Sequence, residues 1–262
     1  MALVATIGTW FITALGAATV VFFRKPKDKI LNVMLGFAAG VMIAASFWSL
    51  LQPAIERAEQ TLATPAWLVA ASGFLCGAFF IWASDKAVSF AQHTKGRHGV
   101  SRENARMKRI IMLIFSITLH NIPEGLAVGV AFGALAGNNY SDEGLMGAIS
   151  IAIGIGLQNF PEGAAVALPL RREGVSRPKS FFWGQVSAIV EPIAGVIGAA
   201  LVMKIQTMLP FALAFAAGAM IIVSVHELIP ESQSGSKKSP YSSTMGIISG
   251  FAVMMMLDVM FG

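Results

Sequence analysis

The sequence predicts an all-α polytopic membrane protein with eight transmembrane helices, and three observations carry that expectation. Of its 262 residues 55% are hydrophobic and 13% charged, with a mean hydropathy of +0.69; ordinary soluble domains carry about 25% charge. Eight apolar stretches of spanning length can be drawn, at about 2–23, 31–52, 64–84, 108–135, 145–170, 180–203, 208–230 and 242–261, each near the roughly 20 residues that a bilayer core requires. Finally, of the 19 Lys and Arg residues all but Arg57 and Lys204 fall in or beside alternate loops. So little chain is left between the spans that residues 1–262 read as one transmembrane domain.

That alternation also disposes of a nucleic-acid partner, which the pI of about 9.6 would otherwise suggest. Basic residues collect on the cytoplasmic side of membrane proteins. The odd-numbered loops are therefore expected in the cytoplasm and both termini outside, in the cell (inner or plasma) membrane.

The first span carries its charges after the apolar run rather than before it. It reads as an uncleaved helix, not a signal peptide. Glu56, with Gln52 one turn earlier, stands at the outer end of the second span, where an entering cation would first be met, although an ordinary loop acid is the plainer reading. The third span holds the single cysteine, Cys76, so no intrachain disulfide forms. The longest polar stretch, about 89–107, follows it with His93, His98 and several basic residues. This is either a basic loop enforcing topology or a weak metal-handing segment. Gly36-x3-Gly40 and Gly133-x3-Gly137 would permit close helix approach.

Spans four and five carry the chemistry. His-Asn-Ile-Pro-Glu-Gly at 120–125 and Gln-Asn-Phe-Pro-Glu-Gly at 158–163 begin 38 residues apart. An ionisable residue in mid-membrane costs roughly 2.5–3.5 kcal/mol on insertion scales, so a repeated set signals function. Residues four apart share one helix face, which puts His120 with Glu124 and Gln158 with Glu162. Pro123 and Pro161 also free the carbonyls of Leu119 and Leu157. Imidazole, amide oxygen and carboxylate converging at mid-depth suit a divalent metal ion. Because the two spans run in opposite directions, a two-fold axis in the membrane plane relates them naturally, a transporter device.

Glu191, followed by Pro192, lies in the sixth span with no basic residue in its own helix, so it should protonate, pair or bind a cation. His226 and Glu227 fall near the cytoplasmic end of the seventh span, with Glu231 one turn later, and Asp258 near the outer end of the eighth. His226-Glu227 begins like the H-E-x-x-H zincin motif, but position 230 is Pro, which counts against an intramembrane metalloenzyme. A proton- or sodium-coupled carrier of an organic substrate is the other alternative; it would want aromatics at the site, and Phe160 is the only one in either motif.

The paired hexapeptides, the eight spans with external termini and the basic third loop together resemble the ZIP (Zrt/Irt-like) metal-ion transporters, of a prokaryotic GufA type. The resemblance covers essentially the whole chain. It implies an inverted three-helix repeat around a central pair of Pro-kinked helices, and transport of zinc, and of iron, manganese, cobalt or cadmium, into the cytoplasm. It further implies one metal on His120, Glu124, Gln158 and Glu162, and a second on Asn121, Glu124, Asn159, Glu162 and Glu191, with His226 and Glu227 on the release path. Many members have histidine at the position of Gln158, and some have aspartate at that of Asn159. The expected partners are divalent metal ions and the lipid bilayer, with a homodimer left open; no cofactor is expected beyond the transported ions.

Overall fold

A chain crossing hydrocarbon must close its backbone hydrogen bonds within each span, and helices do so. The structure, a computed structural model, describes residues 1–22, 28–95, 114, 118, 121–136, 140–172, 174–204, 206–233 and 240–261. Among these residues the regular structure is helical throughout. In chain order the helices are α1 (Ala2–Ala18), α2 (Asp28–Ala45), α3 (Gln52–Thr61), α4 (Ala66–Lys95), α5 (121–133), α6 (Asp142–Arg172), α7 (Arg177–Val186), α8 (Val190–Lys204), α9 (Leu209–Val223), α10 (Ile229–Gln233) and α11 (Pro240–Phe261).

Seven helical stretches among the described residues are long and apolar enough to cross a membrane, and they match expected spans one to three and five to eight. The expected fourth span falls largely outside the described residues, as does His120; α5 is its described part. Two helices outrun their apolar stretches. The second span is helical to Thr61 rather than ending near 52, which places Glu56, as well as Gln52, on helix α3 instead of in a loop. α4 continues to Lys95, so the polar stretch expected from 89 begins as helix, with His93 on it; His98 lies outside the described residues. Hydropathy reports where the apolar layer ends, whereas good helix formers such as Ala54, Glu56, Arg57 and Ala58 sustain a helix beyond it.

Proline shapes the second and seventh spans alike. A proline inside a helix clashes with the carbonyl four residues back, and a widened turn relieves the clash. Ahead of Pro53 the chain adopts a π-helical segment, Ser46–Leu51, and ahead of Pro230 another, Ser224–Leu228. Each begins with a serine whose hydroxyl donates to the carbonyl one turn back, Ser46 to Met42 at 2.7 Å and Ser224 to Met220 at 2.8 Å. α6 ends differently, in a turn that needs glycine: Gly174 has φ +89°, its N–H donates to Arg171 O at 3.1 Å, and Val175 N–H reaches back to Leu170 O at 3.1 Å.

The helices pack in pairs: α2 on α11, α4 on α9 and α1 on α6. Small residues let these backbones touch. A Cβ at Gly40 would press on the Ile247 carbonyl of α11, and one at Gly77 on the Phe215 carbonyl of α9. Gly133 abuts Ala199 of α8 in the same way, while Gly137 lies outside the described residues. The second and seventh spans form the interior, 67% and 61% buried, and the third and eighth the rim, 22% buried each. Rim side chains such as Phe79, Trp82 and Met256 are exposed, as a surface facing lipid requires.

Gly40→Ala should therefore destabilise the detergent-solubilised protein by about 1–3 kcal/mol through overpacking. Gly147→Ala, with open space around the added methyl, should leave the melting temperature unchanged or raise it slightly. Equal losses in both variants would contradict this account of the helix contacts.

Candidate metal centre

The glycine that closes each hexapeptide seats a neighbouring helix. A Cβ at Gly125 would press on the backbone of Glu191 in α8, and one at Gly163 on the Thr13 carbonyl of α1. α8 and α1 thus lie directly against the two motifs. α6 passes through Pro161 as one continuous helix, carrying Gln158, Asn159 and Glu162 into the bundle.

Glu191 reaches the site through a break in the sixth span, which the sequence reading treated as one helix. The chain turns at 187–189 between α7 and α8. Glu191 N–H bonds to Ala188 O at 3.0 Å instead of to Ser187 O, one residue further back. The Ser187 carbonyl left over accepts the side-chain amide of Asn121 at 2.9 Å. Pro192, with no N–H of its own, makes no demand for Ala188 O. The carboxylate at the start of α8 is therefore locked to the first motif by the backbone itself.

The structure brings together Asn121, Glu124, Gln158, Asn159, Glu162 and Glu191, all buried; Glu124 and Glu191 are 0% exposed and Glu162 2%. Gln158 donates its amide to Glu124 Oε1. Asn159 donates to Glu191 Oε1 at 2.9 Å and Oε2 at 3.0 Å, and to the Thr9 carbonyl at 3.3 Å. Thr9 Oγ1 donates to Glu191 Oε2 at 2.6 Å. Glu124 and Glu191 are thus tied to neighbouring residues of α6, the helix that also carries Glu162, and among the described residues no Lys, Arg or His is buried to offset the three carboxylates.

Six buried oxygens here have no hydrogen-bond partner: Asn121 Oδ1, Glu124 Oε2, Gln158 Oε1, Asn159 Oδ1 and both oxygens of Glu162. All are acceptors, and a buried acceptor left unpaired costs about 1–3 kcal/mol. The set suits a cation held by oxygen. Among the described residues no three of His, Cys, Asp and Glu stand together as ready ligands; Gln158 and Asn159 occupy Glu124 and Glu191 with hydrogen bonds instead.

The remaining expected residues lie elsewhere. His226 and Glu227, on the second π-helical segment, line a cavity of about 90 Å³ with Asp85 and Lys86 of α4. Glu56 lines a larger cavity, about 420 Å³, with Ser49, Glu143, Ser150 and Asp258, and Gln52 donates to it at 2.9 Å. Asp258, near the outer end of the eighth span, accepts from Ser49 at 2.6 Å and from Ser150 at 3.3 Å. Sequence reasoning missed Thr9 altogether, although Thr6, Thr9 and Thr13 recur at helical spacing in an otherwise apolar span.

A family profile described as ZIP Zinc transporter matches residues 1–110 and 92–258. The chain belongs to the ZIP zinc-transporter family. It is 39% identical to Zinc transporter ZIP11 of Xenopus tropicalis over 99% of this chain and 97% of the relative. Zinc transporter GufA of Myxococcus xanthus is 34% identical over 99% of this chain and 98% of the relative. Zinc transporter ZIPB of Bordetella bronchiseptica is 34% identical over 95% and 78% respectively. As a ZIP protein with seven spans among its described residues, it is an integral membrane protein.

Asn159 ties the second motif to Glu191 as a donor, and Asn159→Asp replaces that donor with a second acceptor. Without added metal the variant should lose about 1.5–3 kcal/mol, the worth of hydrogen bonds to a charge, and melt several degrees lower. Added zinc or cadmium should raise its melting temperature more than it raises the parent's. Identical melting of variant and parent, with and without metal, would show that residue 159 does not face Glu191.

Proposed function

We propose that this protein carries divalent metal ions, zinc foremost, across the membrane through the buried carboxylate and amide cluster. The observation that carries the reading is the set of six unpartnered acceptor oxygens among carboxylates with no buried basic residue beside them in the described part of the chain. A cation supplies what these groups lack. The named relatives are zinc transporters, which agrees.

One metal is read onto Glu124, Gln158 and Glu162, with His120 as a fourth ligand from outside the described residues. A second is read onto Asn121, Glu124, Asn159, Glu162 and Glu191. Oxygen donors with a single imidazole discriminate poorly among zinc, iron, manganese, cobalt and cadmium, so a broad range of ions is expected. The basic loops would put Glu56 and the 420 Å³ cavity it lines on the outer side and His226 and Glu227 on the inner, and the family resemblance implies transport toward the cytoplasm.

We read the whole of 1–262 as one domain built on an inverted repeat, in which α1 to α4 recur as α7 to α11. Several pairings support it. The second and seventh spans each carry a π-helical segment ahead of a proline. Burial of the first and sixth spans is 33% and 39%, and the rim spans match at 22%. The α2–α11 contact is mirrored by α4–α9, and α1 against α6 by α8 against α5.

The alternatives find no such support. Phe160, the aromatic that would favour an organic substrate, lies in an apolar groove with Ile12, Val33 and Phe37, away from the carboxylates. The zincin-like start at His226 lacks its second histidine, and the relatives are transporters rather than enzymes.

The test is uptake by proteoliposomes across a panel of divalent metals. The parent should transport zinc, and Glu124→Ala and Glu162→Ala should each fall to the level of empty vesicles. Normal uptake by either variant would refute the site assignment.

A further inference from the structure

Three hydroxyls lie on one buried face of α1. Thr6 and Thr13 donate to carbonyls of their own helix, Thr6 to Ala2 O at 3.0 Å and Thr13 to Thr9 O at 3.4 Å. Such bonds are ordinary for threonine in a membrane helix. Thr6 has a second carbonyl of its own helix in reach, Leu3 O at 3.2 Å, whereas Thr9 Oγ1 lies between the Thr6 carbonyl at 3.0 Å and a carboxylate of another helix, Glu191 Oε2, at 2.6 Å.

A hydroxyl has one proton and makes one of these bonds at a time. The shorter, charge-assisted bond to the carboxylate is the stronger. The Thr6 carbonyl is an alternative acceptor already in place, so losing Glu191 would not leave a buried donor unpaired. Asn159 holds both Glu191 oxygens from α6, and Thr9 holds Oε2 from α1. The carboxylate is thus fixed in direction by two helices other than its own.

The geometry points to Thr9 as a positioning residue for Glu191: its hydroxyl aims the carboxylate at the motif face and yields it to an arriving cation by turning back onto its own helix. This role rests on reading Glu191 as a metal ligand. Preorganisation of this kind raises affinity by removing the need to order a free side chain at the moment of binding.

Thr9→Val removes the hydroxyl at constant shape, Thr9→Ala removes it with less bulk, and Thr9→Ser keeps it. Folding is monitored by size-exclusion profile and melting temperature. In proteoliposomes Thr9→Val and Thr9→Ala should raise the KM for zinc about tenfold with Vmax little changed, and Thr9→Ser should restore the parental KM. Zinc titration of purified protein supplies the second readout: Thr9→Val should weaken binding in the parent but add nothing in a Glu191→Gln background. A parental KM in Thr9→Val, or an equal loss in Thr9→Ser, would overturn the role. So would a full Thr9→Val effect persisting beside Glu191→Gln. Parental zinc affinity in Glu191→Gln would instead overturn the reading of Glu191 as a ligand, and with it the role built on it.

Discussion

Three glutamates buried inside a membrane bundle, with no buried basic partner among the described residues, form the constraint on which the rest of this structure depends. Buried charge must be paired, neutralised or ligated to metal. Glu124, Glu162 and Glu191 come from α5, α6 and α8, so the problem is shared among helices that must then stay in register. Glycine at the end of each hexapeptide keeps that register by bringing α8 and α1 to backbone contact. Amides at 121, 158 and 159 fill the spaces, each using its N–H₂ to hold a carbonyl or a carboxylate and leaving its oxygen unpartnered.

That division of labour suits transport better than storage. Structural zinc sites use Cys and His and hold their ion closed. Here, among the described residues, the donors are carboxylate and amide oxygen, and the single cysteine lies exposed on the third span. On the proposed reading, hydrogen bonds from Gln158 and Asn159 would compete with an ion for the same glutamates, limiting its affinity and holding the carboxylates after it departs. On this reading three carboxylates balance one dication with charge to spare and two only incompletely, so the second position fills less readily than the first.

Much of this was legible in the sequence because it rests on composition and spacing. Hydropathy located the seven spans that fall in the described residues, and the repeated hexapeptides named Asn121, Glu124, Gln158, Asn159 and Glu162, which come together with Glu191; His120 lies outside the described residues. What stayed hidden depends on contacts between distant segments. The break before Glu191 follows from Pro192 together with an amide 66 positions away in sequence, at Asn121. Pro53 and Pro230 sit beside π-helical segments that the sequence analysis did not anticipate, because whether a proline kinks, breaks or widens a helix is decided by its neighbours; at Pro161 the helix runs on. Thr9 left only a faint trace, a threonine spacing on a span with no charged residue, since what sets it apart is a carboxylate 182 residues later. The glycines closing the motifs were visible, but their purpose was not, because it lies in the helices that press on them.

The most direct test of the metal centre is X-ray absorption at the zinc edge on purified protein loaded with one equivalent of zinc. The account predicts a first shell of oxygen, with the imidazole of His120 as the one nitrogen donor, and its loss when Glu124 and Glu162 are both replaced by alanine. A sulfur shell, several imidazoles, or a spectrum unchanged by the double replacement would contradict it.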